Sequence, residues 1–168
     1  MKRSVFPVAA LLAVGALGAG QASAQSSASA TANVSATVVG IAPLTAATVN
    51  DLDFGTVNAG AVGTVAPTDA ARFLITGEPG FPVNVSFALP ASLGGPAGAT
   101  IPITFGNADG LLWAPFPTTF TTFNPNAAFA TAIDGLGSLE VGVRGTVAPP
   151  AATVSGVYTG TITVTVAY

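Results

Sequence analysis

The chain has 168 residues, half of them hydrophobic and only 7% charged, with no cysteine and no histidine. Four basic residues stand against seven acids, a formal net charge of −3, and a nucleic-acid binder needs a basic face that this composition does not supply. The missing cysteine and histidine exclude disulfides, thiolate metal sites and every Ser-His-Asp or Cys-His catalytic arrangement.

In chain order, the N-terminus reads as a secretory signal. Lys2 and Arg3 form a basic region, Val8 to Leu17 a short apolar stretch, and Ala22-Ser23-Ala24 an A-x-A cleavage site. The apolar run is too short and too glycine-interrupted for a membrane span, and no later segment is a transmembrane candidate. Residues 1–24 are therefore expected to be removed, and the mature chain to be exported, to the periplasm or the cell surface, as one domain. Cleavage takes Lys2 and Arg3, leaving Arg72 and Arg144 as the only basic side chains.

The next segment alternates strictly. Ala28, Ala30, Ala32, Val34, Ala36 and Val38 share one face, and serine, threonine and asparagine fill the other. Period two predicts a strand within residues 25–40, ahead of a β-sandwich domain over 41–168. A loop around Pro43 leads to Leu52-Asp53-Phe54-Gly55-Thr56-Val57 and a turn at residues 58–60. A short strand is predicted over residues 72–76, ended by the Gly77-Glu78-Pro79-Gly80 turn signal. Val83, Val85, Phe87 and Leu89 then share a face between Pro82 and Pro90. Ile101, Ile103 and Phe105 mark another strand, in which Pro102 argues for an edge or a bulge. Residues 107–130 read as irregular and aromatic-rich. Leu139, Val141 and Val143 alternate with Glu140, Gly142 and Arg144, and a Pro149-Pro150 loop precedes the last strand.

That strand, residues 159–168, points Ile162, Val164, Val166 and Tyr168 one way and mostly threonines the other. With Tyr168 last in the chain, its partner is expected from a distant segment or from another molecule. About seven short strands and no helices indicate an all-β antiparallel sandwich or barrel.

The sequence carries no catalytic constellation. There is no G-x-S-x-G elbow, and the expected mature chain has no lysine for a Ser-Lys dyad. Asp51 and Asp53 share a face of an extended segment, a spacing open to carboxylate chemistry or to an oxygen-ligand Ca²⁺ site, but a solvated face opposite Leu52 and Phe54 explains them more simply. No catalytic, cofactor or metal site is expected. The aromatic-rich segment offers a candidate partner-binding surface in Trp113, Phe116 and Phe120. Its alternative is a loop folded over the sandwich to complete the core.

The segment Leu52-Asp53-Phe54-Gly55-Thr56-Val57 with Ala59-Gly60, the later Gly145-Thr146-Val147, and the final Ser155-Gly156-Val157-Tyr158-Thr159-Gly160-Thr161-Ile162-Thr163-Val164-Thr165-Val166-Ala167-Tyr168 together resemble an exported bacterial family, domain of unknown function 4402. The pattern is also similar to the wider group of spore-coat-U-like and archaic chaperone–usher pilus subunits. The resemblance implies an immunoglobulin-like sandwich that lacks its last strand and is completed by a donor strand from a neighbour. The donor residues would be Ala28, Ala30, Ala32, Val34, Ala36 and Val38, and the acceptor strand would carry Ile162, Val164, Val166 and Tyr168. The chain departs from the spore-coat-U pattern in lacking cysteine, and its donor face is small and alanine-rich.

The resemblance further implies a non-catalytic structural subunit of a bacterial surface filament or coat. Its partners would be further copies joined head to tail, served by a periplasmic chaperone and usher; strand addition is a general mode of peptide recognition, and a non-closing interface yields filaments. Two alternatives stand beside it. One is a self-complete secreted adhesin or binding module that pairs residues 27–39 within its own sandwich. The other is a small outer-membrane β-barrel, since a strand ending in an aromatic residue also resembles the insertion signal of such barrels.

Overall fold

The computed structural model describes residues 30–114 and 119–168, and the chain divides into two units, residues 1–38 and 39–168. The expected signal peptide, Ala28 and Phe116 lie outside the described residues. In the first unit, residues 30–38 carry no strand and are exposed throughout, with Val34 95% and Val38 88% accessible. Alternation marks which side chains would share a face, but a strand needs a backbone partner, and alanine adds little β-propensity of its own.

The described residues of the second unit form twelve short strands: β1 (Thr45–Asn50), β2 (Gly63–Thr64), β3 (Ala71–Thr76), β4 (Pro82–Ala88), β5 (Ser92–Gly94), β6 (Thr100–Thr104), β7 (Gly110–Trp113), β8 (Phe120–Phe123), β9 (Phe129–Ala132), β10 (Ser138–Val143), β11 (Thr146–Val147) and β12 (Thr163–Ala167). They form three antiparallel sheets, ordered β1-β3-β10-β7-β8, β2-β11-β6-β5 and β12-β4-β9. Each sheet is open at both ends, so the small-barrel alternative does not describe this fold. Among the described residues no helix is long and apolar enough to cross a membrane.

The fold is an all-β sandwich because the alternating faces meet. Phe73 and Ile75 of β3 and Leu139 and Val141 of β10 pack against Val83 and Val85 of β4 and against Ile133. Ile75, Val85 and Val141 have no accessible surface. At the other end, Ile101 and Ile103 of β6 and Val147 of β11 form a second cluster. Burial of this apolar surface is the main favourable term in folding.

Several elements differ from the sequence expectation. The described residues of 107–130 are not all irregular, because they hold β7, β8 and the start of β9. β7 and β8 pair as a hairpin, Trp113 opposite Phe120 and Gly110 opposite Phe123, and strands this short give too few alternations to read from periodicity. The Phe123 and Phe129 rings meet at a tilt with centroids 4.0 Å apart, and Phe129 packs on the main core. β1 occupies residues expected to be loop after Pro43, and its TAATVN sequence is weakly apolar because it is exposed throughout. Pro102 lies on β6, an inner strand between β5 and β11. Its carbonyl accepts from Ala148 N at 3.4 Å, so its nitrogen also faces the β11 side, where that strand has already ended at Val147.

Candidate functional site: a cleft between two strand edges

Among the described residues β1 pairs with β3 alone and β12 with β4 alone, so each presents one unpaired backbone edge. The two run in opposite directions. β3 and β4 are joined by the residue 77–81 turn; β1 runs away from that turn and β12 towards it. On β1, Ala46 stands opposite Ile75 and Thr48 opposite Phe73. Directly opposed residues share a face, yet Ile75 and Phe73 are buried while Ala46 and Thr48 are exposed. On the facing edge, Ile162, Val164 and Val166 reach the core but are only half-buried. The sandwich is therefore open between β1 and β12.

The opening widens at the end distant from the 77–81 turn. There residues 51–59 and 153–160 continue the two walls outside the named strands, joined to β5 by one bridge from Thr159 to Gly94, and they enclose a cavity of about 790 Å³. Leu52, Phe54, Val57 and Tyr158 contribute to its walls, over a floor of Ile101, Ile103 and Val147. Local chemistry explains why β1 does not extend along this wall. Gly55 has φ +60°, the left-handed region, and its N–H donates to the Asp53 carboxylate at 2.8 Å; together these make a turn. On the opposite wall, the Tyr158 ring fills the space that a side chain at Gly95 would need, and its hydroxyl donates to Val154 O at 2.7 Å. Thr159 and Gly94 exchange two backbone hydrogen bonds of 2.8 Å.

Near the turn, three residues close a hydrogen-bond circuit. Glu78 N–H donates to the Tyr168 hydroxyl at 2.7 Å, that hydroxyl donates to Ala42 O at 2.6 Å, and Ala42 N–H donates to the Glu78 carboxylate at 2.9 Å. The Tyr168 ring also meets Phe81 edge-on, 6.0 Å between centroids.

Of the residues singled out in the sequence, Ile162, Val164 and Val166 thus line one cleft wall, and Tyr168 belongs to the circuit at its lower end. Ala30, Ala32, Val34, Ala36 and Val38 lie in the first unit, without a strand. Trp113 and Phe120 come together elsewhere, on the face of the first sheet away from the core, 6.3 Å between ring centroids. Trp113 is not a free aromatic shelf: its six-membered ring lies over Gly142, the Arg72 guanidinium sits 4.7 Å from its ring centroid, and Arg72 is ion-paired with Glu140. Asp53 is engaged by Gly55 N–H, and among the described residues no three or more His, Cys, Asp or Glu side chains gather as metal ligands. The opposite wall, Ala46, Thr48, Leu52, Phe54 and Val57, was not anticipated as part of a site. The signal available was the apolar spacing at 52, 54 and 57 in a segment with no strand partner.

Residues 44–168 match the model of a family described as Domain of unknown function (DUF4402). The match begins after the alternating N-terminal segment. No curated protein matches the chain.

Proposed function

We propose a non-catalytic structural role for this chain, which belongs to the DUF4402 family: an exported bacterial subunit that assembles with further copies by strand addition into a surface filament or coat. The observation that carries the reading is the cleft bounded by two unpaired strand edges, with an apolar floor and uncovered inward-facing side chains on both walls. Exposed strand edges recruit other strands unless they are covered. An added strand would satisfy main-chain groups of β1 and β12 and place alternate side chains over the half-buried Ile162, Val164 and Val166.

The candidate donor is the alternating segment carrying Ala28, Ala30, Ala32, Val34, Ala36 and Val38. Its described part has unpaired backbone and exposed apolar side chains, which suits a segment that becomes ordered on joining a sheet. Its small side chains fit a cleft whose lower half is lined by Ala46 and Thr48. In this reading an immunoglobulin-like sandwich lacking one strand is completed by the next copy, and a periplasmic chaperone and usher would guard the cleft before assembly.

The test compares the full mature chain with a variant lacking residues 25–38, both run unheated in detergent and weighed in native solution. The intact chain should give a ladder of detergent-resistant, heat-labile oligomers, and the deletion should give monomers that bind a synthetic 25–40 peptide. An unchanged oligomer distribution in the deletion variant would refute the reading.

A further inference from the structure

We infer that the Ala42–Glu78–Tyr168 circuit is a positioning device that stops a chain from filling its own cleft and so reserves the cleft for a second copy; the inference rests on the strand-addition reading above. Connectivity supplies the first argument. The chain enters the sheet at Ala42, at the turn end of the cleft, and β1 then runs away from that end. For a chain's own upstream residues to lie in its own cleft, they must run towards Ala42 and reverse into β1 between Gly40 and Leu44. They would then be antiparallel to β1 and parallel to β12.

Three consecutive residues of that reversal, Ala42 to Leu44, are restrained where they stand. Both backbone groups of Ala42 are committed, the N–H to Glu78 and the carbonyl to Tyr168. Pro43 has a fixed φ and no N–H. The Leu44 side chain sits where a Cβ on Gly77 would meet it at 2.8 Å, and it packs on the main core. The nearest glycine, Gly40, stands before the fixed Ala42, and residues 41–50 contain none, whereas tight hairpin turns rely on residues that tolerate positive φ. A segment from a second copy meets none of these constraints. It enters without moving Ala42 and is free to run in either direction along the cleft.

Tyr168→Phe keeps the ring on Phe81 but removes one hydrogen-bond acceptor and one donor from the circuit. Glu78→Ala leaves Tyr168 intact and removes the acceptor for Ala42 N–H. Both full-length variants, the wild type and the 25–38 deletion are compared by native mass measurement and by hydrogen exchange of the monomer fraction. In wild-type monomers the amides of residues 30–41 should exchange as unpaired chain. In either variant they should gain roughly tenfold protection, the scale of one or two lost restraining hydrogen bonds, and the assembled fraction should fall. Unchanged exchange at 30–41 together with an unchanged assembled fraction in the folded variants overturns the inference. If Tyr168→Phe does not fold, Glu78→Ala decides. A deletion variant that assembles like wild type sinks strand addition itself, whereas one that fails to assemble while the circuit variants behave as wild type sinks the device alone.

Discussion

Trp113 occupies the space that a side chain at position 142 would need: a Cβ built on Gly142 would lie 2.6 Å from Trp113 Cζ3 and would also collide with the Ala71 carbonyl. Gly142 is buried within β10, with Ala71 and Arg72 on one flanking strand and Leu111 on the other. Gly142→Ala should therefore cost about 1–3 kcal/mol, the usual range for overpacking. A denaturant titration checks this: the midpoint should fall while the slope stays the same.

The same contact changes how the aromatic surface should be tested. Truncating Trp113 removes a ring that supports Gly142 and carries Arg72, so any lost binding would be confounded by lost stability. Phe120 is 42% exposed at the sheet edge, and Phe120→Ala should stay within about 0.5–1 kcal/mol of wild type. Thermal unfolding reads that, and unaltered attachment to cells or glycans by the variant would count against an adhesin role for this surface.

Ala46 faces the cleft and is exposed while the cleft is open. Ala46→Asp should change the melting behaviour of the monomer little, since exposed substitutions stay within about 0.5 kcal/mol. A strand seated between β1 and β12 would bury that unpaired carboxylate, at a cost of several kcal/mol. Assembly should be lost while the fold is kept. Oligomers at the wild-type level would mean that no strand seats there.

Asp134 organises the turn before β10. Its carboxylate accepts from Ser138 N, Ser138 Oγ and Leu136 N, each at 2.8 Å. The Ser138 backbone hydrogen bond is the largest influence, and the carboxyl is held below its ordinary value. A depressed carboxyl stabilises the folded state above its unfolded pKa, near 3.9, and that contribution is lost as pH falls through the lower folded value. Asp134→Ala should be less stable than wild type at neutral pH, and the gap should narrow below about pH 4. Unfolding measured from pH 7 to pH 2 checks it.

Much of the sandwich was legible because its central strands alternate cleanly. Phe73 and Ile75, Val83 and Val85, and Leu139 and Val141 all point into the core, as their spacing predicts. The same spacing put Ile162, Val164 and Val166 on the inward face of the last strand. What escaped the sequence had a common physical cause. β1 is exposed on both faces, so nothing selects for apolar alternation along it. β7 to β9 are four residues each, too short for a period to emerge. The alternating N-terminal segment carries a pattern that records a capacity to pair, and residues 30–38 of it carry no strand. The Ala42–Glu78–Tyr168 circuit joins residues as much as 126 positions apart, a closeness that only the folded sheet order reveals.

The two arginines carry one more consequence. Arg72 is paired with Glu140, and Arg144 with Asp109 at 3.1 Å, so among the described residues every side-chain charge left over is acidic. Two copies approaching each other meet mutual repulsion that reaches about 10 Å at 0.1 M salt. Encounter between subunits should then quicken as ionic strength rises, the reverse of a complex guided together by opposite charges.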